Sequence, residues 1–195
     1  MLRAMCEDVS FILVRNRIIS EDDREVYIYG LELILNSLLV VGTIVTLGVL
    51  LNKVLITVVF LVVFCSIRSY AGGYHANQYW KCYCVGCFAY LSVVIIVQST
   101  LAIHVKLDSL IFLAISYIGI FYIAPLNSEK SPKTQEEMNK NSIITKVLIN
   151  VYTAIAVIGI FVYPQVMDLW FTIACTQLVV SIFLIISILQ RRYLR

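Results

Sequence analysis

The chain has 195 residues, of which 61% are hydrophobic and 14% charged, and its mean hydropathy is +0.90. Soluble domains carry roughly 45–50% apolar and about 25% charged residues, so this composition excludes a soluble globular domain, a disordered segment and a collagen-like chain, and marks an integral membrane protein. The net charge of +3 is too small to indicate a nucleic-acid-binding module.

Residues 1–29 come first. Met1, Leu2, Met5, Val9, Ile12, Leu13 and Ile19 fall near helical spacing, with Arg3, Glu7, Asp8, Arg15 and Arg17 between them. The charges leave no clean apolar core for a cleavable signal peptide. The pattern predicts an amphipathic helix lying at the membrane interface; the plainer alternative is a cytosolic lead-in packed on the membrane domain. Six apolar runs follow: Leu31–Leu51, Val54–Ile67, Cys82–Ile103, Leu107–Ala124, Val147–Met167 and Leu169–Leu189. Asn52-Lys53 separates the first two. A polar loop, Asn127–Lys146, with Pro125 and Pro132 as breakers, separates the fourth from the fifth. Asp168 divides the last two, with Pro164 one turn earlier. A membrane helix needs roughly 20 apolar residues. The predicted fold is therefore all-α and polytopic: six transmembrane helices over residues 30–190, an N-terminal amphipathic segment and a basic tail at 191–195.

All fifteen Lys and Arg residues except Lys53 and Lys106 lie in the N-terminal segment, the second loop, the fourth loop or the tail. The positive-inside rule then puts both termini and the even-numbered loops in the cytoplasm. The second run is short. Its 14 residues rise only about 21 Å, against an apolar slab of roughly 30 Å. The bilayer thins there, or the following segment, residues 68–82, sits partly at membrane depth. Irregular backbone at that depth is tolerated only where it is buried in protein or lines a wet cavity, which points to a site.

That segment reads Arg68-Ser69-Tyr70-Ala71-Gly72-Gly73-Tyr74-His75-Ala76-Asn77-Gln78-Tyr79-Trp80-Lys81-Cys82. Gly72-Gly73 permits a sharp turn or a close backbone approach. His75 is suited to general-base work near neutral pH, and Cys82 opens the third run. A thiol at a helix start beside a histidine is the arrangement of an activated nucleophile. On one straight helix the two would share a face but lie about 10.5 Å apart along the axis, so a working pair requires a break between them. The bland reading is a histidine satisfying loop carbonyls and a buried cysteine at a helix start, and residues alone do not exclude it.

Cys82, Cys84 and Cys87 with His75 also invite a zinc reading. On a helix Cys82 and Cys84 point about 200° apart, whereas zinc wants four convergent ligands, so no metal or other cofactor is expected. Cys6, Cys65 and Cys175 are expected to be buried, inert thiols. Glu32 stands just inside the first run, with Asn36 one turn on. An intramembrane carboxylate is by default a functional candidate, able to orient His75 or pair with Arg68; the alternative is an interfacial Glu reaching water.

The Arg68…Gly72-Gly73-x-His75-Ala76…Cys82 string resembles the accessory gene regulator B (AgrB) family. The resemblance runs over essentially the whole chain, including Ala124-Pro125 and the Lys-rich fourth loop. It implies a membrane cysteine endopeptidase of Gram-positive quorum sensing, acting on an AgrD-like propeptide that has an amphipathic leader, a Cys- or Ser-containing core and an acidic tail. The enzyme would remove the tail and the core would close to a thiolactone or lactone. The resemblance makes His75 and Cys82 catalytic and places Arg68, Gly73 and Glu32 in the functional set, with Gly72 beside them. The plasma membrane, with the site on its cytoplasmic side, is the implied location; a homodimer is compatible with the resemblance, although no small-xxx-small stripe compels one.

Further roles follow from that expectation. Tyr70, Tyr74, Tyr79 and Trp80 read either as a water-excluding lining of the site or as an ordinary interfacial belt, and Asn77 joins the candidate substrate contacts. Lys130 and Lys133, with Lys140, Lys146 and the Arg191-Arg192 pair, would draw an acidic tail, or they are plain positive-inside signal meeting anionic lipid. The rival class is a small membrane transporter or substrate-binding subunit without proteolysis. Against it stand the absence of an inverted repeat and of paired Gly/Pro-broken helices.

Overall fold

In the computed structural model the described residues are 2–72, 79–99, 104–127 and 134–193. They hold seven α-helices: α1 (Leu2–Arg15), α2 (Arg24–Leu50), α3 (Val54–Ala71), α4 (Tyr79–Ser99), α5 (Val105–Ile123), α6 (Gln135–Val162) and α7 (Met167–Tyr193), with a 3-10 turn, Pro164–Val166, before the last. Six of them, α2 through α7, are long and apolar enough to cross a membrane. The chain is an all-α, multi-pass membrane protein. In lipid every backbone N–H and C=O must be paired within the segment, so a run this apolar has the helix as its solution.

The helices gather around α7, which packs against α5, α3, α6 and α4. From Phe171 to Gln177 every residue of α7 is buried, so it is enclosed on all sides for nearly two turns. Buried hydroxyls and one amide cross-link it to its neighbours. Gln177 Oε1 accepts from Ser116 of α5 at 3.4 Å and from Thr153 of α6 at 3.3 Å. Such bonds are worth roughly 0.6 kcal/mol each in membrane proteins, and they join three helices at one point. At the periphery, α2 touches α1, α3 and α4.

Several boundaries differ from the hydropathy reading: α2 already begins at Arg24, inside the segment assigned to residues 1–29, and two others bear on the site. The second span is not short. α3 has 18 residues and runs through Arg68 to Ala71, a rise of about 27 Å that nearly matches the slab. The helix accommodates the charge because the Arg68 guanidinium lies against two phenylalanine rings, while Ser69 returns its hydroxyl to Cys65 O at 2.7 Å. The fourth loop is shorter than Asn127–Lys146. A capping box starts α6 at Gln135: Glu137 N–H donates to Thr134 Oγ1 at 3.3 Å and Thr134 N–H donates to Glu137 Oε2 at 2.9 Å. Lys140 and Lys146 therefore ride on a helix, with the Lys146 ammonium 5.0 Å from the Phe121 ring centre.

The thiols also sort differently. Cys6 and Cys175 are buried as expected, but Cys65 is exposed on the outer face of α3. Its neighbours Ile67 and Val63 take the inward positions instead.

The predicted N-terminal amphipathic helix is present as α1, folded back on α2. Cys6 and Ser10 are buried against α2, and the Arg24 guanidinium donates to Ser10 Oγ at 3.2 Å. On the far side Met5, Val9 and Ile12 form an exposed apolar stripe, with the spacing of one helix face.

Candidate active site

α3 supplies the frame that aligns α2 and α4, because it runs antiparallel to both. Near the far end Thr57 packs against Gly48 of α2 and pairs its hydroxyl with Tyr90 of α4, and Phe60 meets the Tyr90 ring edge-on with centroids 5.4 Å apart. Eight residues along α3 from Phe60 is Arg68, and eight back along α4 from Tyr90 is Cys82. The two therefore lie at the same end of the bundle, within electrostatic range of one another. Val40 of α2 lies against Gly86 of α4. One turn back on each of these parallel helices are Asn36 and Cys82, which therefore share a depth. Glu32 sits one further turn toward the N-terminal end of α2.

Arg68 occupies a built position. Its guanidinium carbon is 5.7 Å from the ring centre of Phe64 and 5.5 Å from that of Phe183. Planar cations stack on aromatic faces at such distances and are held in orientation by them. The clamp joins α3 to α7 and fixes the orientation of the Arg68 charge. Cys82 is the fourth residue of α4 and half-buried. It lies in the first turn, where the helix dipole favours negative charge. Cys84 is exposed, and Cys87 is half-buried and bonded to Tyr83 on its own helix.

Glu32 and Asn36 are both buried, at 5% and 8% exposure. The Glu32 carboxylate acts on Arg3 and Cys6 of α1, so α1 lies over it. Burial pushes the Cys6 thiol above its ordinary pKa, and the Glu32 and Glu7 carboxylates add to the shift. Arg3 bonds Glu7 at 3.0 Å and approaches Glu25 at 3.8 Å; the Glu7 bond, followed by the pull of Glu25, raises the guanidinium pKa further.

Gly72 caps α3 with φ 70° and ψ −144°. Tyr70, on the last turn of α3, and Trp80, in the first turn of α4, are exposed. Gly73, Tyr74, His75, Asn77, Lys130 and Lys133 lie outside the described residues. α3 ends at Ala71 and residues 79–82 are helical; the rest of the stretch on which the expected break between His75 and Cys82 falls lies outside the described residues.

Two groups escaped the sequence reading. Phe183 is remote from Arg68 in the chain and sits in an unremarkable apolar run. Leu126 donates its N–H to Ala71 O at 2.9 Å and bridges Gly72; the adjacent Ala124-Pro125 pair was its only local signal.

Comparison with known proteins places the chain in a family. Residues 6–190 match the family described as accessory gene regulator B. A Clostridium perfringens (strain 13 / Type A) protein named AgrB-like protein 2 is 24% identical over 173 residues, covering 82% of this chain and 79% of its own. An AgrB-like protein of C. perfringens strain SM101 is 24% identical over 149 residues, covering 72% of this chain and 68% of its own. No solved structure matches. With the match extending from α1 to the end of α7, the chain belongs to the accessory gene regulator B family of membrane proteins.

Proposed function

We propose that this protein is a membrane cysteine endopeptidase that processes an AgrD-like propeptide. One observation carries the reading: Cys82 stands in the first turn of α4 within electrostatic reach of an Arg68 guanidinium held between Phe64 and Phe183, directly after the Gly72-Gly73-x-His75-Ala76 string. A structural thiol has no need of a clamped cation.

The chemistry runs in two halves. His75 takes the Cys82 proton, and the thiolate attacks the carbonyl at the core–tail junction. The developing oxyanion is stabilised by the Arg68 charge and by the positive end of the α4 dipole. The C–N bond breaks, His75 returns the proton to the tail's new amine, and the core remains as a thioester on Cys82. A thiol or hydroxyl within the core then attacks that carbonyl, Cys82 leaves as the thiolate and is reprotonated, and the ring closes as a thiolactone or lactone. A thiol nucleophile conserves the thioester bond energy, so no nucleotide is consumed. Holding the core against the acyl group supplies the effective molarity that ring closure needs. Asn36 lies buried at the depth of Cys82, and Glu32 lies one turn further along α2, under α1. Lys130 and Lys133 attract the acidic tail. The site faces the cytoplasm of a Gram-positive cell, with both termini on that side.

The test uses purified protein in liposomes with a propeptide encoded beside its gene. Mass spectrometry should find an acyl adduct on Cys82 in wild type and none in His75→Ala. A propeptide that binds, yet gives neither adduct nor free tail, overturns the reading in favour of a transporter or binding subunit.

A further inference from the structure

The outer face of α5 and α6 carries a polar cluster that the chemistry at Cys82 does not use. The two helices run antiparallel and meet there in two rungs, one helical turn apart. In the first, the Tyr117 hydroxyl donates to Asn150 Oδ1 at 3.1 Å. In the second, the Lys146 ammonium lies 5.0 Å from the centre of the Phe121 ring. Phe121 stacks on Tyr117 with centroids 5.6 Å apart, and Asn150 Nδ2 donates to Lys146 O at 2.7 Å, so each rung braces the other. A lysine near a membrane boundary ordinarily reaches along its helix toward water. This one reaches across to the neighbouring helix.

The cluster faces lipid. Asn150 is exposed and Lys146 half-buried, and around them Ile118, Ile143 and Val147 are all exposed apolar side chains. Its depth follows from the length of α6. That helix has 28 residues and rises about 42 Å, about 12 Å more than the apolar slab of roughly 30 Å. With Val162, just ahead of Pro164, at one boundary, the other falls about 20 residues back, near Ile143. Lys146 then stands within about 5 Å of the headgroup layer. Among the described residues no carboxylate forms an ion pair with it. The acidic residues of its own helix, Glu136 and Glu137, are at least about 13 Å away along the axis. A cation in apolar surroundings calls for an anion, and at this depth the anions are lipid phosphates.

We propose that Lys146, Asn150, Tyr117 and Phe121 form a binding site for the headgroup of an anionic phospholipid. Lys146 supplies the charge, and the Phe121 ring fixes the ammonium. Asn150 supplies a second donor, since only one of its two amide N–H groups is spent on Lys146 O. The Tyr117 hydroxyl sets the orientation of that amide by donating to its oxygen. The acyl chains lie along the exposed apolar residues beside the cluster. A peptide tail fits less well, because those neighbours are apolar and because α4, which carries Cys82, packs on α2, α3 and α7, whereas α5 and α6 form this groove. The site is independent of the peptidase reading.

The test titrates full-length protein in detergent with phosphatidylglycerol or phosphatidylcholine and counts bound lipid by native mass spectrometry. Wild type should bind phosphatidylglycerol about tenfold more tightly, the worth of one charge-assisted contact. Lys146→Gln should abolish the preference and Phe121→Leu should reduce it, while Lys140→Gln, further from the slab, should keep it. Equal binding of the two lipids by wild type, or a preference that survives Lys146→Gln, overturns the site. So does a preference lost equally in Lys140→Gln, which marks general attraction to a basic surface. A second measurement needs no variant: phosphatidylglycerol with a photoreactive headgroup should label residues 117–122 or 143–150 in wild type. Labelling confined to other segments overturns the proposal. Labelling of these segments that millimolar inorganic phosphate or an acidic peptide suppresses assigns them to a soluble anion or a peptide tail, and overturns the lipid site.

Discussion

Thr57 on α3 and Tyr90 on α4 share a hydrogen bond of 2.7 Å between side chains that are 2% and 0% exposed. Thr57 Oγ1 spends its own proton on Lys53 O at 2.8 Å, so the Tyr90 hydroxyl is the donor. On the other side Gly48 of α2 lies so close to Thr57 that a Cβ would collide with it. The three helices that frame the candidate site are therefore pinned together at their far end. Tyr90→Phe removes one hydrogen bond and leaves Thr57 its backbone partner, at a cost of about 0.5–1.5 kcal/mol. Gly48→Ala forces the helices apart and should cost more, about 1–3 kcal/mol. Unfolding midpoints in detergent check the order; a more damaging Tyr90→Phe would contradict it.

The Phe64–Arg68–Phe183 clamp predicts graded losses in tail cleavage. Arg68→Lys retains charge but offers no plane to the two rings, and its compact ammonium sits differently beside Cys82. Phe183→Leu leaves the guanidinium one face. At about 0.5–2 kcal/mol for a cation–π contact, Phe183→Leu should lower kcat/KM by roughly threefold to thirtyfold, and Arg68→Lys by more. Full activity in both variants would remove the clamp from the mechanism.

Cys6 supplies a pH prediction outside the membrane spans. Burial, then Glu32 and Glu7, hold its pKa above the ordinary thiol value. A thiol raised on folding stabilises the folded form fully below its unfolded pKa of about 8.5, and that contribution is lost as pH climbs through the folded value. The seating of α1 on α2 should thus hold at neutral pH and weaken under alkaline conditions. Alkylation of Cys6 at pH 8 should lag a free thiol, and Glu32→Gln should quicken it by removing one of the charges responsible. A Cys6 that reacts as fast as free thiol would show that α1 does not cover it.

Much of the architecture was legible in the residues. Hydropathy located all six spans, and the spacing of Met5, Val9 and Ile12 announced α1. The errors have physical causes. A hydropathy window ends a span at a charge, so it stopped at Ile67, whereas α3 continues because Arg68 finds two ring faces. The same window reads Thr134–Lys146 as loop, although a capping box makes it the start of α6, carried past the apolar slab by its own hydrogen bonds. Within the site, Cys82, Arg68, Gly72 and Glu32 could be named from motif and composition. Phe183 and Leu126 could not, since their roles depend on contacts made across the bundle.

What the sequence by itself determined is the class of solution. Long apolar runs in a solvent that cannot hydrogen-bond must become helices, and the Gly-Gly-x-His-Ala string before a cysteine marks the family. It did not determine which way each helix faces. Lipid tails are as apolar as a protein core, so hydropathy is the same for Val63, which is 2% exposed, and Val62, which is 53% exposed. Only close packing, shared hydroxyls and one backbone bridge distinguish the inward face from the outward one. Those contacts put Arg68 between Phe64 and Phe183, Glu32 beneath α1 and Leu126 against Gly72.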